Sequence, residues 1–286
     1  TTHKLRVLDN PPNMIDGKVV TSAFDLLDDG ESWRCYRSGS KILLMVGTAF
    51  EMRYETPEQF ASRRLEASPF ASQVTATGTI SGIADIRSMT VRIKGDLVAQ
   101  LADGPGQTVR RLSDSEALVT VDQHSVAGSE EDRREYLKQE PLPAEIEALA
   151  AEVRGMRLPA DGPQRAEALI AVVHRHLKPD AQALGATLAS AVANRRGVCL
   201  HFAQLFEVLA RASDLPTRTV NGLASGGDSQ FGPHEWVEIL YDGRWHSIDP
   251  TFQMLKAPAH IQFANAGFLS TPDAQIEVVK ISRDGE

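Results

Sequence analysis

The chain has 286 residues, 42% of them hydrophobic and 24% charged, with 21 glycines and 15 prolines. Collagenous, coiled-coil and disordered classes are thereby excluded, and at about 150 residues per domain there is material for about two cores. Thirty basic against 38 acidic side chains leave a net charge of -8, with neither half basic, so no generic grip on nucleic-acid phosphates or an anionic membrane is expected.

Cys35 and Cys199 allow one disulfide at most and no CxxC zinc or redox site, and separate thiols are the expectation. The longest apolar run, Ile42 to Val46, falls far short of the roughly 20 residues that span a bilayer as a helix. No signal-peptide pattern opens the chain. A cytoplasmic location is expected, with a processed secreted or periplasmic form left open.

From Val19 to His124 a short-period alternation rich in Thr, Val, Ile and Ser, broken by Asp29-Gly30 and Asp103-Gly104, predicts mainly antiparallel strands. Residues 41–54, 74–80, 88–93 and 118–121 are the clearest, and 57–65 reads as a short helix or a loop. The charged stretch from Ser129 to Pro143 reads as a linker. The predicted domains are therefore an N-terminal β-rich domain, 1–135, and an α+β domain, 136–286. Helical spacing follows: Ile146, Leu149, Ala150 and Val153; then Ala166, Leu169, Ile170 and Val173 behind Gly162-Pro163; then an alanine-rich piece, 181–193. A fourth helix, 198–213, carries Phe202, Leu205, Phe206 and Leu209 on one stripe, with Cys199 in its first turn. Strands are predicted at 215–223 and 234–240, joined by an exposed Gly-rich connection that lacks the features of a phosphate loop. Asp242-Gly243 closes a type I′ hairpin into 244–249, and Pro250 ends the pairing.

That hairpin has chemical content. With Asp242 and Gly243 as the loop, Trp236 stands opposite Asp249, and alternation puts His234 on the same face as a diagonal neighbour of Asp249. Diagonal Cβ atoms lie roughly 7–8 Å apart, within reach of an imidazole and a carboxylate leaning together. Cys199, in the field of unsatisfied helix N–H groups, favours the thiolate and completes a nucleophilic acyl-transfer set. Trp236 shares this face and serves equally well as a shield or as core. Glu235 and Glu238 are read on the opposite face, away from catalysis, and His246 as structural. His201 reads as packing or surface. His174 and His176, two apart on a helix, do not converge on a metal, and no metal or cofactor is expected.

Four strings resemble the transglutaminase-like superfamily, which shares its core layout with papain-like cysteine proteases. They are Arg196-Gly197-Val198-Cys199 with Phe202-Ala203, then Leu215-Pro216-Thr217-Arg218-Thr219-Val220-Asn221-Gly222, then His234-Glu235-Trp236-Val237-Glu238, and last Trp245 with Ile248-Asp249-Pro250-Thr251. The resemblance covers about 143–252 and implies an α+β domain with the nucleophile at a helix N-terminus packed on an antiparallel sheet, behind a β-rich domain. It implies Cys199 as nucleophile, His234 as general base and then acid, and Asp249 as the orienting carboxylate. Leu200-His201 and Pro233 depart from the usual residues and leave the entrance to the site undefined. The Cys199 backbone N–H is one expected oxyanion donor, and Asn194 is a candidate for the second. The expected activity is cysteine-dependent acyl transfer on a peptide, protein, or small amide or thioester substrate, with hydrolysis placed ahead of transamidation because water needs no dedicated site. A biosynthetic amide-forming acyltransferase and a non-catalytic interaction module are the alternatives.

Overall fold

The computed structural model describes residues 4–7, 14–15, 18–28, 31–38, 41–46, 51–53, 73–227, 229–264 and 274–283. Contacts divide the chain into two compact units, residues 1–68 and 69–286. The first unit is antiparallel β: β1 Lys4–Val7, β2 Met14–Ile15, β3 Lys18–Val19, β4 Ser22–Asp28, β5 Glu31–Ser38, β6 Lys41–Val46 and β7 Glu51–Arg53. Its main sheet runs β1-β4-β5-β6-β7, and β2 pairs with β3. The strand expected over 41–54 is thus two strands paired back on each other. Cys35 is buried on β5, and the expected helix or loop at 57–65 lies outside the described residues.

The second unit opens with β8 Val74–Thr77, β9 Ile86–Lys94, β10 Gln107–Ser113, β11 Glu116–Val121 and β12 Val126–Ala127. Helices α1 Glu130–Glu135, α2 Ala144–Gly155 and α3 Gly162–His176 follow, then β13 Lys178–Pro179, α4 Leu188–Asn194, β14 Arg196–Gly197 and α5 Cys199–Ala212. The chain ends its description in β15 Thr217–Ser225, β16 Gln230–Tyr241, β17 Arg244–Ile248, β18 His260–Gln262 and β19 Gln275–Arg283. One large sheet runs β10-β11-β9-β19-β8-β16-β15-β18, with β17 beside β16 and β12.

This topology moves the domain boundary. The expected break at 135/136 gives way to one at 68/69, because β8, β9 and β12 are partners of late strands: Gln230 pairs with Thr75, Ile276 with Ile93, and Val126 with Trp245. The expected linker is also structured. Ser129 caps α1 by accepting from the Asp132 N–H while the Asp132 carboxylate accepts from the Ser129 N–H. Beyond α1, Gln139 and Arg211 tie the segment to α5 through the Val208 and Lys138 carbonyls. The alanine-rich piece is a short turn, 181–183, and α4. The Gly-rich connection is shorter than expected, since β16 already pairs with β15 at Phe231 and Ser225.

Among the described residues two apolar cores result. One gathers Met89, Val91, Ile93, Val119, Phe231 and Ile261 around the β8–β11 end of the sheet. The other packs the stripe Phe202, Leu205, Phe206 and Leu209 against Val237, Ile239, Ile248 and the apolar face of α3. Among the described residues no helix is long and apolar enough to cross a membrane.

Candidate active site

The nucleophile candidate is set by how α5 begins. Val198 is its N-cap in extended conformation, and His201 folds back so that Nδ1 accepts the Val198 N–H at 3.0 Å. The other ring nitrogen donates to the Ala186 carbonyl at 2.9 Å. His201 is therefore a buried capping residue, and the preceding glycine allows it: a Cβ on Gly197 would lie 2.9 Å from the His201 Cβ. Cys199 stands in the first turn, 8% exposed, where helix geometry leaves N–H groups without intrahelical acceptors.

The base candidate comes from the hairpin. Asp242 and Gly243 both have positive φ, 50° and 69°, as a type I′ turn requires, and the predicted register holds from Tyr241–Arg244 to Val237–Ile248. Asp249 lies one residue beyond, where its backbone exchanges two hydrogen bonds with Met254, at 2.8 and 2.9 Å. The carboxylate is held at both oxygens. Oδ1 accepts the N–H groups of Thr251 and Phe252 at 2.7 and 3.1 Å. Oδ2 accepts His234 Nε2 at 2.8 Å and His260 Nε2 at 2.7 Å. His174 Nε2 donates to the Pro250 carbonyl at 2.7 Å, which anchors the same turn to α3.

Electrostatics follow from this geometry. Burial opposes a charged His234 most strongly, yet the charge and hydrogen bond of Asp249, with the hydrogen bond and charge of Cys199, outweigh it and raise its pKa to about 10. Burial likewise opposes the Asp249 carboxylate, but His234 and then His260 hold its pKa well below the usual carboxylate range. Asp249 Oδ2 occupies His234 Nε2, so Nδ1 is the ring nitrogen left for the thiol. Trp236, 1% exposed, donates Nε1–H to Ser247 Oγ at 2.8 Å and lies nearly parallel to His234, with centroids 6.2 Å apart. Phe252, 41% exposed, stacks closer on His234 at 4.7 Å.

The structure thus brings together Cys199, His234, Asp249 and Trp236, and does not bring Asn194. That side chain is exposed and donates to Ser190 of its own helix at 2.9 Å, at a helix end fixed by Arg195 with φ 56°. Glu238 also departs from expectation. Strand alternation puts it with His234 and Trp236, where it is fully buried and bonded to Arg218 Nε at 2.6 Å. Arg218 in turn covers the Trp245 ring at 4.3 Å. Glu235 does take the opposite face, and burial together with the nearby Glu207 raises its carboxyl pKa to about 8.

The site residue missed in the sequence is His260, 3% exposed. No spacing rule links it to Asp249. It arrives because β18 pairs with β15, Ala224 facing His260 and Gly222 facing Gln262, while Gly222 also faces His234 across β16. A Cβ on Gly222 would lie 1.9 Å from the Ile261 carbonyl oxygen, so this approach needs glycine. His234, Asp249 and His260 are also the described residues whose ligand atoms cluster within 4.8 Å. Their N···O separations of 2.7 and 2.8 Å are those of two N–H donors on one acceptor.

Residues 147–250 match the family model described as the transglutaminase-like superfamily. A stretch of 78 residues is 35% identical to the protein-glutamine gamma-glutamyltransferase of Pseudomonas aeruginosa, covering 24% of this chain and 11% of that protein. The periplasmic domain of TgpA from Pseudomonas aeruginosa bound to ethylmercury is similar over 88% of this chain and 90% of that one, at 18% identity and a TM-score of 0.41. A Cytophaga hutchinsonii protein described as a candidate cysteine protease is similar over 67% of this chain and 83% of its own, at 16% identity and a TM-score of 0.38.

Proposed function

We propose that this chain, whose residues 147–250 belong to the transglutaminase-like superfamily, is a cysteine-dependent acyl-transfer enzyme acting on amide bonds. The observation that carries the reading is the buried hydrogen-bonded line from Cys199 through His234 to Asp249. Cys199 passes its proton to His234 Nδ1, which leaves a thiolate facing an imidazolium. Cys199 Sγ attacks the carbonyl carbon, the carbonyl π pair moves onto oxygen, and the N–H groups of the first turn of α5, those of Cys199 and Leu200, receive the oxyanion. Collapse breaks the C–N bond as the imidazolium gives its proton to the leaving amine. Neutral His234 then takes a proton from water, whose oxygen attacks the thioester. The C–S bond breaks and the thiolate–imidazolium pair returns. Asp249 keeps Nδ1 aimed at sulfur and favours the charged ring throughout.

Water is the acceptor in this first reading. A second reading, with a primary amine as acceptor, draws on the glutamyltransferase name of the relative that shares 78 residues with this chain. The test is iodoacetamide labelling at pH 6–7, resolved by mass spectrometry and compared with free cysteine. Cys199 is expected to label much faster than free cysteine, and labelling no faster overturns the proposal. Incubation of a glutamine-containing peptide with and without a primary amine then separates the two acceptors by product mass.

A further inference from the structure

We propose that His260 is a positioning residue of this site: it donates Nε2–H to Asp249 beside the bond from His234, holds the carboxylate in one orientation, and limits how firmly Asp249 grips the imidazolium. The inference rests on the acyl-transfer reading and names a part that neither the hairpin nor the helix supplies.

Both imidazoles approach the same oxygen, at 2.7 Å from His260 and 2.8 Å from His234. A carboxylate oxygen shared by two donors binds each less tightly than it would bind one. The His260 ring has no other hydrogen bond, since its Nδ1 is buried without a partner among the described residues. The buried His201, by contrast, ties segments together with both ring nitrogens on backbone groups, of Val198 and Ala186. The ring stands in an aromatic frame, edge-on to Trp236 at 4.9 Å and to His234 at 5.3 Å.

The titratable groups acting on His260 are Asp249, beyond the end of β17, and His234 on β16, with Cys199 of α5 acting on His234 in turn. Burial holds the His260 pKa below the ordinary imidazole range. The bond and charge of Asp249 oppose this, and the charge on His234 reinforces it. His260 is therefore a neutral donor whose one ring proton is committed to Asp249. It orients without competing for the catalytic proton.

The experiment follows iodoacetamide labelling of Cys199 against pH in the full chain, for wild type, His260→Leu and His260→Gln, with thermal melts as a fold check. Wild type is expected to show two steps, the upper one being loss of the His234 proton near pH 10. Leu fills the space without donating, so the upper step is expected to rise by about half a pH unit or more, while Gln, which still donates, leaves it near the wild-type position. His260→Phe replaces Leu as the apolar variant if the Leu protein does not fold. An apolar variant with an unmoved upper step, or Leu and Gln displaced alike, overturns the role of His260 alone. A wild-type profile with the single step of a lone thiol overturns the acyl-transfer reading and this inference with it.

Discussion

The two cores of residues 69–286 are assembled in opposite ways. The helix-side core draws on one run of chain, from Val153 to Ile248, whose helices and hairpin are close in sequence. The sheet-side core collects Val74 to Val121, then Leu223, Phe231, Ile261 and Ile276. Cys199 lies on a helix of the first, His234 on β16, which lends residues to both, and Asp249 one residue beyond β17 of the first. His260 comes from the strand whose next residue, Ile261, is buried in the second. Local pattern therefore supplies three members of the site, and long-range pairing supplies the fourth.

The largest effect separating the two contributions is expected at Asp249. Asp249→Asn keeps the volume but disturbs the tautomer and orientation of His234, and turnover is expected to fall by about 10²- to 10⁴-fold in steady-state kinetics with the fold retained. Turnover near wild type removes Asp249 from the mechanism. The same pair predicts a pH dependence of stability. The folded pKa of His234, about 10, is above its unfolded value. Its contribution is therefore complete below about pH 6.5 and is lost as pH rises through about 10. Asp249 has the opposite sign: its contribution is present above about pH 4 and is lost as pH falls through its depressed folded value. Denaturant melts across pH are expected to show both slopes in wild type; Asp249→Asn is expected to lose the acid slope and to flatten the alkaline one, since Asp249 is the main group raising the His234 pKa.

A large purely structural effect is expected on the face of β16 that carries His234. Arg218→Ala strands the fully buried Glu238, at a cost of about 3–5 kcal/mol in a denaturant melt. The cores come next: Leu205→Ala and Ile93→Ala, both fully buried, are each expected to cost about 2–5 kcal/mol. Of the two, only Leu205→Ala, in the helix that carries the thiol, is expected to slow Cys199 labelling. Equal slowing by both denies the division of labour between the cores. A comparable effect is expected at His201→Ala, which empties a fully buried site and leaves the Val198 N–H and the Ala186 carbonyl without their partner, at about 2–4 kcal/mol by the same melt.

How much of this was legible follows from the range of each interaction. Asp242-Gly243 fixes a register, so the His234–Asp249 pair was readable from spacing alone. The stripe of α5 placed Cys199 at a buried helix start in the same way. The face of Glu238 was also readable, because alternation from His234 puts it on the side of His234 and Trp236, and taking it for the other face was an error of parity. His260 was not readable, since nothing within the eleven residues from Asp249 specifies that β18 will lie against β15. The domain boundary failed for a related reason. Residues 74–127 have the alternation of a self-contained β domain, and only their pairing with β16, β17 and β19 reveals otherwise.

The insertion of β19 between β9 and β8 bears on how the protein acquires its shape during synthesis. Ile276 pairs with Ala76 about 200 residues earlier, a closure that must be made before it is rewarded and that sets a slow step. A nascent chain emerging from the ribosome completes the helix and hairpin bearing the thiol while the gap between β9 and β8 is still vacant. Completion of the large sheet is then timed by the arrival of residues 275–283.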